Sequence, residues 1–394
     1  MAAIDFRAEA EALSEDLRRL RRDFHRHPEL GFQEHRSAGI VARQLRALGL
    51  EVTEGVGKTG VVGVLRGASE GPTVLVRADM DALPIQEETG AEYASENPGV
   101  MHACGHDGHM AMALTVARLL ASHREALHGT VRFVFQPAEE GLGGAEGMVN
   151  DGVLEGVDYA LAMHLWNEKP VGWLGIADGP TMAAADRFQV RIVGKGGHGA
   201  QPQVAEDPVL AASQVVTALQ SIVSRHVDPL EAAVVSVTMF RAGTAFNIIP
   251  AEARLEGTIR TFAPEVTREV RKRFHQTVQG VAQGMGCRAE VALDSLTPAV
   301  INDPQVAAVV RAAAAETLPD ATVDARARTM GSEDMALMMD DVPGCYFFVG
   351  SNNPARGLDA PHHHPRFDFD ESALPRGVAL MSAAVVKMLE ERPA

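Results

Sequence analysis

The 394-residue sequence has few cysteines, no long apolar run and no excess of positive charge. Three cysteines, Cys104, Cys287 and Cys345, are too few for a disulfide framework, which favours a reducing compartment. No apolar run reaches the roughly 18 residues of a membrane-spanning helix, and the first residues lack the basic and apolar segments of a signal peptide. The formal net charge of −16 argues against nucleic acid and anionic membranes as partners. We therefore expect a soluble, cytoplasmic protein.

The order of predicted elements divides the chain into two domains. Residues 1–185 and 297–394 alternate helices with wholly apolar strands, which predicts an α/β domain with a buried mixed or parallel sheet between helices. Residues 186–296 follow the order β-α-β-β-α-β of a smaller, ferredoxin-like α+β domain. At the N-terminus, the apolar spacing of residues 6–27 predicts one amphipathic helix.

The segment 100–110 concentrates metal-ligand residue types on one turn. Sulfur, imidazole and carboxylate groups are the side chains that hold zinc and similar divalent metals. Five such residues occur within eight positions: His102, Cys104, His106, Asp107 and His109. Because an apolar, helix-like segment follows, the alternative is a loop whose polar residues only cap that helix, with Asp107 as the N-cap. A complete metal site would need further ligands from elsewhere in the chain.

Polar residues follow three predicted buried strands. They are Asp79 and Asp81, then Glu139 and Glu140, then His164. Open α/β sheets bind ligands at the carboxyl ends of their strands, so these residues could share one rim. In an adjacent pair such as Glu139-Glu140, one carboxylate can bind metal while its neighbour takes a proton from metal-bound water. The alternative is a solvated acidic turn.

The sequence also allows other interpretations of several single residues. Cys104 beside His106 could be the nucleophile of a cysteine hydrolase, although the glutamate pair would then have no role. The tract 362–364 could be an exposed run of histidines. His198 lies in a glycine-rich segment as a possible electrophile or substrate contact, or as an incidental residue; that segment lacks the spacing of a phosphate-binding loop. Arg260 could hold a substrate carboxylate.

Motifs spread in order over nearly the whole chain resemble those of the metal-dependent amidohydrolases of the aminoacylase/carboxypeptidase superfamily. The branch with the best agreement contains hippurate hydrolase, N-acyl-amino-acid amidohydrolase and the plant auxin-conjugate hydrolases. The motifs are Arg77-Ala-Asp-Met-Asp-Ala-Leu-Pro, His102-Ala-Cys-Gly-His-Asp-Gly-His, Gln136-Pro-Ala-Glu-Glu, Met163-His, Gly194-Lys-Gly-Gly-His, Phe246-Asn-Ile-Ile-Pro, Gly257-Thr-Ile-Arg, Gly331-Ser-Glu-Asp and His363-His-Pro-Arg-Phe-Asp.

The resemblance implies a site for two divalent metal ions in each subunit. Zinc or manganese is the first expectation, and the mixed sulfur, nitrogen and oxygen donors also allow cobalt or nickel. The implied ligands are Cys104, His106, Glu140, His164 and His363, with Cys104 as the bridge. Glu139 would be the general base, and Asp79 would orient a ligand. More distant relatives carry a metal-binding histidine at the position of Arg77, so the metal preference differs or stays open.

The function that the resemblance implies is hydrolysis of the amide bond in N-acyl amino acids, including hippurate-like compounds. Family members form dimers through the inserted domain, whose histidine, here His198, can reach a neighbouring subunit's site. Asn247 and Arg260 resemble positions that hold the substrate carboxylate. The alternatives are a deacylase of an N-acetyl or N-succinyl diamino acid, a dipeptidase, a metal-free cysteine hydrolase and a non-catalytic binding or scaffold protein.

Overall fold

The computed structural model describes residues 4–390, so the outermost ends of the predicted catalytic domain, 1–3 and 391–394, lie outside the described residues. The chain forms two compact units. The first contains Met1–Thr181, Ile301–Arg328 and Asp334–Ala394, and the second contains Met182–Val300 and Thr329–Glu333. Nothing in the sequence indicated that the short segment Thr329–Glu333 belongs to the second unit. The functional division at 185/186 and 296/297 stays a prediction.

The helices and strands are numbered along the chain. The helices are α1 (Phe6–Ala12), α2 (Ser14–Arg26), α3 (His35–Ala47), α4 (His106–Ser122), α5 (Gly144–Asn150), α6 (Pro208–His226), α7 (Pro264–Gly284), α8 (Pro304–Thr317), α9 (Ala336–Met339) and α10 (Ala373–Glu390). The strands are β1 (Glu51–Val56), β2 (Gly60–Arg66), β3 (Ser69–Asp79), β4 (His128–Gln136), β5 (Tyr159–Pro170), β6 (Trp173–Gly175), β7 (Gly179–Met182), β8 (Ala184–Val193), β9 (Gly197–His198), β10 (Ala233–Ala242), β11 (Ile248–Ile249), β12 (Glu252–Thr261), β13 (Arg288–Thr297), β14 (Val300–Asn302), β15 (Thr322–Asp324) and β16 (Gly344–Asn352).

The first unit is built on an eight-stranded mixed sheet in the order β1-β2-β4-β3-β5-β16-β6-β15. Its centre is parallel, because β3 pairs in parallel with both β4 and β5. Strand β2 pairs with both β1 and β4, in each case antiparallel. The last six residues of β3 are buried, which explains the uninterrupted apolar pattern of a strand covered on both faces. The predicted α/β class with a buried mixed sheet is confirmed.

Two buried helices, α4 and α10, contact each other and the sheet. A side chain at Gly108 in the first turn of α4 would place its Cβ 2.5 Å from Leu165 and 3.0 Å from Phe369. Only glycine therefore lets the start of α4 lie this close to β5. Although both helices are apolar, no helix within residues 4–390 has the length and hydropathy needed to cross a membrane.

The prediction of one helix over residues 6–27 is wrong, since the structure has two helices separated at Leu13. Leu13 leaves helical geometry with φ −94° and ψ 2°. Ser14 then begins α2, whose first turn carries Glu15 and Asp16, and acidic residues there complement the helix dipole. The two helices pack differently: α1 lies mainly on α10, whereas α2 lies mainly on α4. The apolar period continues through Leu13, so spacing alone could not reveal this break.

The second unit has the predicted β-α-β-β-α-β order, carried by β8, α6, β10, β12, α7 and β13. Its four strands are antiparallel and lie in the order β10-β12-β8-β13. Phe188 of β8 and Phe274 of α7 form the centre of the core, with ring centroids 4.6 Å apart. This arrangement is the expected ferredoxin-like sandwich. A separate two-stranded arm is formed by β9 and β11, in which His198 pairs with Ile248.

Candidate metal centre

The carboxyl ends of three parallel strands place the predicted site residues at one edge of the large sheet. Asp79, the last residue of β3, is in register with Gln136, the last residue of β4. Arg77 is in register with Ala162 of β5, so His164, two residues further on, lies level with Asp79. The turn with Glu139 and Glu140 follows β4 directly.

Two sets of three potential ligands share the sulfur of Cys104. In each set the ligand atoms lie within 4.8 Å of one another, and the sets are Cys104, His106 and His164, and Cys104, Glu140 and His363. Individual distances are 3.5 Å from Cys104 Sγ to His164 Nε2 and 3.1 Å from His363 Nε2 to Glu140 Oε1. The structure thus brings together all five residues that the sequence suggested as ligands, around the cysteine suggested as the bridge.

Backbone carbonyls orient two of these imidazoles. His106 Nδ1 donates to the carbonyl of Asp81 at 2.8 Å, and His164 Nδ1 donates to the carbonyl of Leu165 at 2.6 Å. Each bond fixes the proton on Nδ1 and leaves the lone pair of Nε2 for a metal. Burial, reinforced by the neighbouring His109, holds the pKa of His164 well below its usual value, so this imidazole is neutral. Neutral imidazole is the form that binds metal.

His363 and the glutamate pair depend on unusual backbone conformations. His363 has φ 64°, and Ala138, which precedes the glutamates, has φ 52°. A left-handed conformation costs a non-glycine residue about 1–3 kcal/mol and persists only where the surroundings enforce it. The His363 amide donates to the carbonyl of Ala103 at 2.8 Å. Hydrogen bonds to Cys104 and then Glu140 raise the pKa of His363 to about 10, and the same negative surroundings favour a metal cation in place of the proton.

Buried carboxylates hold the glutamate turn in place. The amide of Ala138 donates to Glu34 Oε1 at 2.9 Å, and the amide of Glu140 donates to Asp81 Oδ2 at 3.0 Å. Glu139 is half-buried, with a carboxylate oxygen within 4.8 Å of ligand atoms of both His106 and Glu140. That position is within reach of a water molecule held by the same ligands.

Two other histidines at the rim are engaged by Leu165. His109 Nδ1 donates to Asp79 Oδ1 at 2.6 Å, and its Nε2 accepts the amide of Leu165 at 2.9 Å. His362 Nε2 donates to the Leu165 carbonyl at 3.0 Å, while its ring packs at 5.0 Å from those of Trp166 and Phe367. Neither ring is therefore placed to bind a metal with the other ligands.

Asp79 links the rim to a buried cation. Its Oδ2 accepts from Arg77 Nη1 at 2.6 Å while its Oδ1 accepts from His109. Burial alone would raise the pKa of Asp79, but the neighbouring His106, His109 and Arg77 side chains hold it well below its usual range. Asp79 is thus an anion that orients His109, and through it the Leu165 backbone beside His164. The expected role of Asp79 in orienting a metal ligand stays a prediction.

The interpretation of Asp107 as a helix cap is wrong. Gly105 is the N-cap of α4, and Asp107 makes no side-chain capping bond. Its Oδ2 instead accepts from Arg21 Nε and His25 Nδ1, both at 2.7 Å. The sequence did not single out Arg21 or His25, and the only signal was their place on a helix face otherwise lined by Leu17 and Phe24. Likewise, Glu34 was missed because its partner Ala138 is distant in sequence.

The remaining predicted site residues lie in the second unit. His198 and Asn247 are exposed on the β9–β11 arm, where the Gly199 amide donates to the Asn247 carbonyl at 2.8 Å. His198 Nδ1 accepts the Ala200 amide at 3.0 Å, which leaves Nε2 as a possible donor. Arg260 lies on β12, where its Nη1 is buried without a hydrogen-bond partner among the described residues. Their roles in binding stay predictions.

Two overlapping ligand sets with a further carboxylate beside them fit a metal-dependent hydrolase. The comparisons agree with that class. Residues 75–387 match the model of peptidase family M20/M25/M40, and the chain belongs to this family. The resemblance to metal-dependent amidohydrolases and the expectation of an enzyme acting on amides are therefore confirmed.

Individual relatives cover most of the chain. It is 50% identical to the N-acyl-L-amino acid amidohydrolase of Geobacillus stearothermophilus, over 72% of this chain and 76% of that protein. It is 42% identical to the N-acetylcysteine deacetylase of Bacillus subtilis, over 94% of this chain and 96% of that protein. Among solved structures, the YXEP protein of Bacillus subtilis, described as a dinuclear metal-binding peptidase of the M20 family, superposes with a TM-score of 0.86 at 38% identity, covering 96% of this chain and 99% of that one.

Adjacent histidines provide a test of the ligand geometry. Replacement His363→Gln should remove one bound metal ion, because its Nε2 faces Cys104 and Glu140. Replacement His362→Gln should leave the metal content unchanged, since that ring is engaged with Leu165. Metal analysis after dialysis of both purified variants checks this. Metal retained by His363→Gln and lost from His362→Gln would reverse the assignment.

Proposed function

We propose that this enzyme hydrolyses the amide bond of N-acyl amino acids at a site that holds two divalent metal ions. The observation that carries the proposal is the pair of ligand sets sharing Cys104, with the Glu139 carboxylate beside them. The names of the relatives support it, since two act on N-acyl amino acids and a third is described as dinuclear. Zinc or manganese fits the mixed donors, and cobalt or nickel is also compatible.

The proposed mechanism gives each group one task. When bound, the metal ions polarise the substrate carbonyl and lower the pKa of water towards about 7. Glu139 accepts a proton from the attacking water and returns it to the nitrogen of the leaving amino acid. His198 Nε2 or the Asn247 amide donates a hydrogen bond to the developing oxyanion. Arg260 pairs with the carboxylate of the amino acid. The products are a carboxylate and a free amino acid.

Replacement Glu139→Gln tests the base. An amide cannot accept the proton from water, so kcat should fall by about 10²–10⁴-fold, the usual contribution of general acid–base catalysis. Metal content should be retained, because Glu139 belongs to neither of the two ligand sets that share Cys104, whereas Glu140 belongs to one of them. The exposed Glu146, at the start of α5, offers a matched control in Glu146→Gln. A variant Glu139→Gln with near-normal turnover would exclude Glu139 as the base.

The identity of the acyl group on the substrate is a separate and more specific proposal. We propose N-acyl amino acids with aromatic or larger acyl groups, as in hippurate, as the substrates. Deacetylation of small N-acetyl amino acids is the second candidate, supported by the relative named N-acetylcysteine deacetylase. Deacylation of an N-succinyl or N-acetyl diamino acid and cleavage of dipeptides are further alternatives. All share an amide next to a free carboxylate, so that carboxylate is the common recognition element.

A substrate panel tests both the class and the role of Arg260. Hippurate, N-acetyl amino acids, N-succinyl diamino acids and dipeptides should differ in kcat/KM, with hippurate-like compounds highest. The carboxylate methyl ester of the best substrate should be about 10–100-fold worse, as expected when a charge-assisted hydrogen bond is lost. Variant Arg260→Met should lose this preference, whereas Arg254→Met, on the same strand but exposed, should keep it. A preference unaltered in Arg260→Met would contradict the assignment.

We propose that the protein forms a homodimer through β10. This strand and β13 are the two edges of the small sheet. Natural edge strands are usually protected by charge, and β13 carries Arg288, Glu290 and Asp294. Strand β10 carries a single charged residue, Arg241, and exposes the apolar ring of Phe240. An unprotected ten-residue edge of this kind favours pairing with a second copy of the chain.

Two matched substitutions distinguish the edges. Phe240→Lys places a charge on β10 and should shift the protein to a monomer in analytical ultracentrifugation. Leu296→Lys makes the same change on β13, where the side chain is also exposed, and should leave the mass unchanged. A monomeric wild-type protein, or dissociation caused only by Leu296→Lys, would refute pairing through β10.

We further propose a cytoplasmic location. Cys104 must remain a free thiol to bind metal, and a reducing compartment preserves it. All three cysteines of the chain are free in the structure.

A further inference from the structure

Arg21 is a fully buried cation that connects two distant parts of the candidate metal centre. From helix α2, its Nε donates to Asp107 Oδ2 at 2.7 Å and its Nη2 donates to Asp368 Oδ1 at 2.8 Å. Asp107 immediately follows the ligand His106. Asp368 lies on the segment that carries the ligand His363. One guanidinium thus joins the two segments, which are far apart in sequence.

The carboxylates that receive Arg21 are themselves fixed by other groups. His25 Nδ1 lies 2.7 Å from the same oxygen of Asp107. The hydroxyl of Tyr93 donates to Asp368 Oδ2 at 2.7 Å, and the Phe369 amide donates to Asp368 Oδ1 at 2.9 Å. Each carboxylate therefore has one position relative to the guanidinium.

The guanidinium is held in its plane by two aromatic rings. Its Cζ lies 4.3 Å from the ring centroid of Phe369 and 4.9 Å from that of Tyr93. Its remaining nitrogen, Nη1, donates to Glu371 at 3.2 Å. Three carboxylates are thus bound in three directions by a rigid planar fork, which a lysine ammonium on a flexible stem cannot reproduce.

We propose that Arg21 is a positioning residue for the metal centre, which sets the distance between the Cys104–Asp107 segment and the His363–Asp368 segment. Cys104 can serve both ligand sets only if His106 and His363 each keep a fixed separation from its sulfur. The two segments also meet directly at His363, whose amide donates to the Ala103 carbonyl and whose side chain contacts Cys104. The inference rests on the ligand set proposed above and adds a residue that touches neither metal nor substrate.

Arg22 provides a matched control on the same helix. It also pairs with Glu371, at 2.6 Å, and its Cζ lies 4.5 Å from the Tyr93 ring. Within residues 4–390, however, it makes no hydrogen bond or ion pair with Asp107 or Asp368. A comparison of Arg21→Met with Arg22→Met therefore isolates the two contacts that the proposal needs.

The experiment measures cobalt binding by the full-length protein. Co²⁺ affinity is obtained by competition with a chelator, and the thiolate-to-cobalt absorption band reports the geometry at Cys104. Arg21→Met should weaken Co²⁺ binding by about 10–100-fold, as usual for loss of groups that orient ligands, and should alter the band. Arg22→Met should keep the wild-type affinity and band. Thermal unfolding of the metal-free proteins measures the stability change separately.

The conservative variant separates position from charge. Arg21→Lys keeps a buried cation but cannot bridge Asp107 and Asp368, so it should recover metal-free stability relative to Arg21→Met without recovering Co²⁺ affinity. If Arg21→Met yields no folded protein, Asp368→Asn takes its place, with Glu371→Gln as its control and the same expected difference in Co²⁺ binding.

The outcomes are distinct. Wild-type affinity and absorption in Arg21→Met, or in Asp368→Asn where that variant replaces it, would overturn the positioning role even if the protein were less stable. An equal loss of affinity in Arg21→Met and Arg22→Met, or in Asp368→Asn and Glu371→Gln, would also overturn it. Failure of the wild-type protein to bind Co²⁺ through a thiolate would instead refute the proposed ligand set, and with it this inference.

Discussion

Parallel pairing of β3 with β4 and β5 is the constraint on which the candidate metal centre depends. Parallel strands bring their carboxyl ends to the same edge, and the observed register puts Asp79 level with Gln136 and with His164. The turns that follow then carry Asp81 and the glutamate pair to that edge. Antiparallel pairing of β3 with either neighbour would send those residues to opposite edges. The apolar strands that form the core thus also decide where the polar residues meet.

The rim is held in place by buried carboxylates that lie outside the two ligand sets. Glu34 and Asp81 accept the backbone amides of the glutamate turn, whose Ala138 is left-handed. A hydrogen bond to a charged group contributes about 1.5–3 kcal/mol, which is comparable to the about 1–3 kcal/mol cost of the conformation. Asp107 and Asp368 perform a related task through Arg21. The candidate site is therefore held in place by carboxylates that lie outside the two ligand sets.

Local sequence patterns predicted the second unit well, because its strands and helices alternate buried and exposed residues with the periods of a strand and a helix. Failures came where distant contacts decide. The apolar spacing across Leu13 is continuous, yet α1 and α2 pack mainly on different helices and separate there. Asp107 precedes an apolar helix as a cap would, but a buried Arg21 from 86 residues earlier takes its carboxylate. Neither partner is visible from the local pattern.

The sequence by itself determined the kinds of donor atom, the family and the strands after which the donors occur, because these depend on residue type and apolar period. Tertiary structure decided which imidazoles can offer a lone pair. The Asp81 carbonyl frees Nε2 of His106, whereas Asp79 and the Leu165 amide occupy both nitrogens of His109, three residues later on the same helix. The hydrogen-bond partners that make this distinction lie on strands β3 and β5 or directly after β3. Ring chemistry is identical in the two histidines, so only the fold can separate them.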